Sequence, residues 1–190
     1  MPKVLPEYKD VVRSKITQAA FNVFSQKGYH DSKMDEIAKE AGLSKPTLYK
    51  YFNSKKDLLK SISASNQQLT EHLLHSFEGQ NTRDILDEIY NMMVKSRGSL
   101  HLTFEITSLS SHDLDIQKLN RESYRVKIET LTKIIENQQN KGLFQKEIDS
   151  LLVAQLLTAI YTDIATQLII GCDELKVREY WIRSVSTIIG

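Results

Sequence analysis

Residues 28 to 59 of this 190-residue chain read GYHDSKMDEIAKEAGLSKPTLYKYFNSKKDLL, two short helical patterns joined by a glycine-containing turn and followed by an aromatic and basic cluster. Few folds accommodate that order. A helix, a tight turn and a second helix can lay the second helix in the major groove of DNA while flanking side chains grip phosphates. The remainder of the chain is then whatever controls that grip.

The local chemistry supports each step. Ser32 stands where an N-cap is needed, and Asp35 puts a carboxylate in the first turn, near the positive end of the helix dipole. Ile37, Ala38 and Ala41 form an apolar stripe at helical spacing, and Gly42 can take the left-handed conformation of a helix-ending turn. Leu43 fills the space between the helices. Ser44 restarts a helix as its N-cap, and Pro46 falls in the first turn, where a missing N–H leaves no intrahelical bond unmade. Leu48 points back to the core, while Lys45, Thr47, Tyr49 and Lys50 fall on the outer faces.

Upstream, Ile16, Ala19, Ala20, Val23 and Phe24 repeat at i, i+3, i+4, i+7 and i+8, which predicts a helix from about Lys9 to Lys27 ended by Gly28. Tyr51 and Phe52 close the small core, giving a three-helix head. Ser54 caps the next helix. Lys55 at its first position suits a phosphate oxygen, as do the Tyr49 and Tyr51 hydroxyls. Arg13 has two readings, a phosphate contact or a solvated surface group.

The net charge of +1 hides an asymmetry. Residues 1 to 60 carry eleven lysines, one arginine and seven acids, a balance of +5, whereas the remainder carries thirteen basic and seventeen acidic groups, a balance of −4. Scatter alone can produce such a split. Its coincidence with the turn motif favours an electrostatic footprint for a polyanion.

Arg13, Ile16, Ala19, Ala20, Phe24, Gly28, Tyr29, Ile37, Ala38, Ala41, Gly42, Ser44, Lys45, Thr47, Leu48, Tyr49, Tyr51, Phe52, Ser54, Lys55, Leu58 and Leu59 together resemble the N-terminal signature of the TetR family. The resemblance covers about the first third of the chain. It implies a homodimeric transcriptional regulator, usually a repressor, that is released from a palindromic operator in double-stranded DNA by a small ligand. Ser32, Lys33, Ser44, Lys45, Thr47, Tyr49, Lys50, Tyr51 and Lys55 are the expected DNA-binding positions. Two residues depart from the family pattern. Lys33 stands where a small hydroxyl residue is common and offers an extra phosphate contact; Pro46 stands where glycine is common and stiffens the start of the recognition helix.

Beyond residue 60 the pattern stays helical, with no useful run of period-2 alternation. A linker helix is expected over 55–78, stopped by Gly79, with Thr82 capping a fifth helix that ends at Gly98. A shorter helix follows over 100–110. A long helix over 113–140 places Tyr124, Ile128, Leu131, Ile135 and Gln138 on one stripe, and Gly142 ends it with Leu143 and Phe144 as an apolar seal. The last two helices, 149–171 and 174–189, carry apolar groups around more of their circumference than one buried face requires. Each is either a central core helix or one that meets a second subunit. The family resemblance favours pairing of two copies through these helices, which sets two recognition helices against major grooves roughly 34–36 Å apart.

The expected fold class is therefore all-α, about nine helices, with a DNA-binding head over 1–54 and a helical effector-binding and dimerisation body over 55–190. No window approaches 18 uncharged apolar residues, so no membrane span is expected. The first residues, MPKVLPEYKD, lack a signal-peptide run, and the lone Cys172 fits a reducing cytoplasm. His72 and His75 share a helix face, but no third metal ligand has suitable spacing. There is no glycine-rich phosphate loop and no nucleophile elbow, so neither a cofactor nor an enzyme is expected. A small hydrophobic or amphipathic effector lodged between helices would meet Tyr90, Met93, Phe104, Tyr124 and Tyr161, residues that equally suit ordinary core. The alternative is a DNA-anchored factor whose body binds a protein and encloses no small molecule.

Overall fold

Helix boundaries in this chain follow its caps. The computed structural model describes residues 6–76 and 82–190, and the side chains within them except at positions 6, 7, 66–76 and 82. Among the described residues there are nine α-helices and no strand: α1 (Pro6–Lys27), α2 (Met34–Glu40), α3 (Lys45–Tyr49), α4 (Lys55–Ser76), α5 (Thr82–Lys95), α6 (Arg97–Leu109), α7 (Leu114–Asn140), α8 (Ser150–Ile169) and α9 (Glu174–Ile189). Side-chain oxygens of Ser44, Asp149 and Asp173 accept the first free N–H groups of α3, α8 and α9. Gly28 and Gly42 end α1 and α2 with φ of +82° and +65°, the left-handed turn that glycine adopts without strain.

Two compact units emerge, one comprising Met1–Asn66 with His101–Asn120, the other Gln67–Leu100 with Arg121–Gly190. In the first, here called the head unit, Ile16, Phe24, Ile37, Leu48, Phe52 and Leu58 are fully buried. Leu102 and Ile106 of α6 and Ile116 of α7 complete the same cluster. Phe24 meets Tyr29 edge to face at 5.2 Å between ring centres. Six such side chains, each contributing about 1.5–3 kcal/mol on burial, are what hold three short helices at fixed angles.

In the second, the body unit, Ile135, Ile164, Leu168 and Val177 are fully buried. Polar tethers cross the core: the Trp181 indole N–H donates to the Leu86 carbonyl at 2.8 Å, the Tyr90 hydroxyl donates to the Glu174 carbonyl at 2.6 Å, and Arg178 pairs with Asp87 at 2.7 Å. Gln139 is buried and its amide donates to the carbonyls of Gln145 and Ile148 at 2.7 and 2.8 Å, which fixes the connection from α7 to α8.

Several expectations are corrected. Helix α1 starts at Pro6, earlier than Lys9. A proline at the first helical position lacks only an N–H that would be unpaired anyway. Gly98 does not end α5; that helix stops at Lys95 and Gly98 lies inside α6. Gly142 is left-handed as expected, but Leu143 is 64% exposed and seals nothing. The expected stop at Gly79 lies outside the described residues, as do the side chains of His72, His75 and Thr82. The expected absence of a run of 18 uncharged apolar residues is a separate matter: the helix Ser150–Ile169 is long and apolar enough to cross a membrane by length and composition alone. It includes Asp163 and buries Val153, Ala154, Thr158, Ile164, Ala165 and Leu168 within the body.

Candidate nucleic-acid interface

The second helix of the turn motif, α3, buries one residue, Leu48, and presents the rest of its length outward. Its start is rigid. The Ser44 hydroxyl accepts from the Thr47 N–H at 3.3 Å and lies 2.7 Å from the Thr47 hydroxyl, while Pro46 fixes the first turn. Ser44, Lys45, Tyr49 and Lys50 are exposed, and Thr47 is half-buried beside them. The Lys45 ammonium pairs with Asp35 of α2 at 2.7 Å, and that hydrogen bond raises its pKa. Both partners of this pair are more than half exposed, so the contact is a weak surface one that a phosphate or base edge can displace.

Lys33 is exposed and occupies the N-cap position of α2. A lysine ammonium cannot accept a hydrogen bond, so it leaves the helix uncapped from that side. Glu36 compensates by accepting the Lys33 backbone N–H at 3.0 Å, and its carboxyl is held below the usual range chiefly by its hydrogen bond with Lys27. The reciprocal half of a capping box is missing.

Two expected contact residues make contacts within the head itself. Ser32 is neither the N-cap nor accessible: it is 2% exposed, and its hydroxyl donates to the Gly28 carbonyl at 2.5 Å. Lys55 begins α4 as expected, but its ammonium donates to the carbonyls of Tyr29 and His30 at 2.6 and 2.8 Å and sits 4.8 Å above the Tyr29 ring. Burial pushes its pKa down. With two of its three N–H donors engaged inside the head, this side chain is a structural clamp first.

Arg13 takes neither of its expected readings alone. Its guanidinium donates to the Tyr51 carbonyl at 2.9 Å and lies 4.4 Å above the Phe52 ring, fastening the end of α3 to α1. Arg13, Tyr51, Asn53, Asp57, Lys60 and Ser61 line an open depression beside that junction. Tyr51 itself is half-buried.

Sequence reasoning missed Glu105. Its carboxylate accepts the backbone N–H groups of Tyr29 and His30 at 2.6 and 2.7 Å. It also missed Lys56, which bridges Asp113 at 2.7 Å and Asp115 at 3.2 Å. Hydrogen bonding with these carboxylates raises the lysine pKa and lowers that of Asp113. No local signal marks either set, since each joins residues more than fifty positions apart.

The expected effector residues are dispersed. Tyr90 and Met93 are buried, Tyr90 with its hydroxyl satisfied, while Tyr124 and Tyr161 are 50% and 38% exposed. Phe104 belongs to the head unit, the other four to the body unit. The open depression beside Arg13 and Tyr51 is lined by head-unit side chains and by none of these five.

A short, capped, outward-facing helix on a three-helix core defines a helix-turn-helix DNA-binding protein. Comparison with known proteins makes the class particular. Residues 16–62 match the family model described as "Bacterial regulatory proteins, tetR family". The chain is 31% identical over 159 residues to the HTH-type transcriptional regulator YdgC of Bacillus subtilis, covering 78% of this chain and 76% of that one. It belongs to the TetR family of transcriptional regulators. Among solved structures it superposes on Salmonella enterica GusR with a TM-score of 0.73 and 22% identity, covering 99% of each chain. It superposes on FadR from Bacillus subtilis in complex with stearoyl-CoA with a TM-score of 0.72 and 21% identity, covering 92% of this chain and 98% of that one.

Proposed function

We propose that this chain is a homodimeric, effector-released repressor of a palindromic operator, acting in the cytoplasm and carrying out no catalysis. The observation that carries the DNA-binding part is α3, whose Lys45, Tyr49 and Lys50 are exposed on a helix anchored by buried Leu48. Lys33, Ser44, Lys45, Thr47, Tyr49, Lys50 and Tyr51 form the proposed contact set; Lys45 and Thr47 read base edges, and the others fix register on the phosphates. In this reading residues 1–54 read DNA, and 55–190 pair and bind the effector.

Pairing is supported by α8 and α9. Leu152 and Leu156 on one side of α8 and Ile170 at its C-cap are 47%, 38% and 69% exposed, while the opposite side of α8 is buried in the body. A helix apolar on both sides needs a second apolar surface, and an identical copy supplies it in a two-fold arrangement. A hydrophobic or amphipathic effector is supported by the stearoyl-CoA of the FadR relative. The ligand moves the equilibrium between operator-bound and released forms only by its difference in affinity for the two.

Selection of bound sequences from random duplex DNA tests the reading. A palindrome with half-sites one helical turn apart is the expected result; enrichment of no sequence sinks it.

A further inference from the structure

The turn between α1 and α2 is held from both sides by charge. Glu105 of α6 accepts the N–H groups of Tyr29 and His30, and Lys55 of α4 donates to the carbonyls of the same two residues, four bonds of 2.6–2.8 Å on two consecutive residues. Charge-assisted bonds of this length are the strong kind. Gly28 makes the approach possible: a Cβ at that position would lie 2.9 Å from a Glu105 carboxylate oxygen, and the left-handed φ aims the following N–H groups at it. The turn leads through Ser32 and the N-cap Lys33 into α2, against which α3 packs. Whatever sets this turn therefore sets the entry angle of the helix pair that presents Lys45 and Thr47.

We propose that Glu105 is a positioning residue for sequence reading: through the Tyr29 and His30 amides it fixes the α1–α2 turn. This rests on the DNA-binding reading above, and the test separates the two. Glu105→Gln keeps the size and removes the charge and one acceptor. The probes are a duplex selected from random DNA by the wild-type chain and a scrambled duplex of equal length, each titrated at several salt concentrations, alongside amide hydrogen exchange without DNA.

The expected result is about tenfold faster exchange at Tyr29 and His30, with body amides unchanged. Binding to the selected duplex weakens about fivefold or more, with the scrambled duplex and the salt slope unaltered, because no phosphate contact is lost. Simple electrostatics predicts the opposite sign, since deleting a negative charge tightens binding to both duplexes. Tighter or unchanged discrimination overturns the proposal, and so does faster exchange without loss of discrimination, which leaves Glu105 a clamp only. Should the glutamine variant not fold, Glu105→Asp keeps the charge but draws it back by one methylene; wild-type discrimination in that variant overturns the proposal equally. A wild-type chain that selects no duplex refutes the DNA-binding reading instead, before any variant is made.

Discussion

The head and body units have similar interiors and opposite exteriors. Each buries a cluster of aliphatic side chains. Outside, the motif helices of the head and their caps expose Lys33, Lys39, Lys45 and Lys50, whereas α8 of the body and its C-cap expose Leu151, Leu152, Leu156 and Ile170. Solvated lysines cost a monomer nothing and wait for a polyanion. Solvated leucines in a row are unfavourable and mark a surface meant to be covered. On the proposed reading the two halves answer to different forces: salt governs what the head binds, and apolar area governs what the body binds.

The harshest attempt to break that contrast puts charge on the body face. Leu152→Glu combined with Leu156→Glu should raise the dissociation constant of the pair on the order of a hundredfold or more, since four leucines per dimer each contribute about 1.5–3 kcal/mol when buried. Sedimentation over a range of concentrations measures it. A wild-type chain that is monomeric throughout would remove the body's half of the comparison.

A second test attacks the head's interior. Leu48 is fully buried and is the one buried residue of α3. Leu48→Ala should cost about 2–5 kcal/mol from lost burial and the cavity left behind. Hydrogen exchange should show the loss concentrated in α2 and α3, with amides around Trp181 retaining their protection. Uniform loss across the chain would mean that the two units unfold as one and that the comparison is too sharp.

The third sharpens the head's exterior. Lys45→Ala or Thr47→Ala should shift preference among duplexes by about 1–3 kcal/mol, and Lys50→Ala should weaken all duplexes alike and lower the salt slope by about one. Lys55→Ala, by contrast, should reduce stability and leave the slope near wild type, because its ammonium is bonded to the Tyr29 and His30 carbonyls. A drop of one in the Lys55→Ala slope would return that residue to the phosphate contacts.

How far each half was legible follows from the range of its contacts. The turn motif was readable because its signals are local: a cap at Ser44, a proline in the first turn and a left-handed Gly42 act within four residues. The same proximity misled at Ser32, where two adjacent polar residues compete for one cap and burial decided for Lys33. Lys55 looked like a phosphate ligand because a helix start beside aromatic residues is where one belongs; the Tyr29 and His30 carbonyls that claim it lie some 25 positions away in sequence. In the body, periodicity located the helices yet not their neighbours. Tyr90 and Tyr124 look alike in a helical stripe, and only the fold makes one buried and bonded to Glu174 and the other half exposed.

The smallest expected effect is the head's response to acid. Asp113 is held below the ordinary carboxyl range chiefly by its hydrogen bond with Lys56, and Glu36 by its bond with Lys27. A carboxyl whose folded pKa lies below its unfolded one binds fewer protons in the native state. Its contribution is therefore present above the unfolded values, about 3.9 for Asp and 4.3 for Glu, and is lost as pH falls through the lower folded values. Urea midpoints should thus decline below about pH 4.5, and Asp113→Asn with Glu36→Gln should flatten that decline while lowering the plateau slightly at neutral pH. Both pairs lie at the surface, so added salt should shrink the difference between variant and wild type. Parallel decline in the two proteins would move the acid sensitivity to other carboxylates and leave the Lys56 bridge as geometry without energetic consequence.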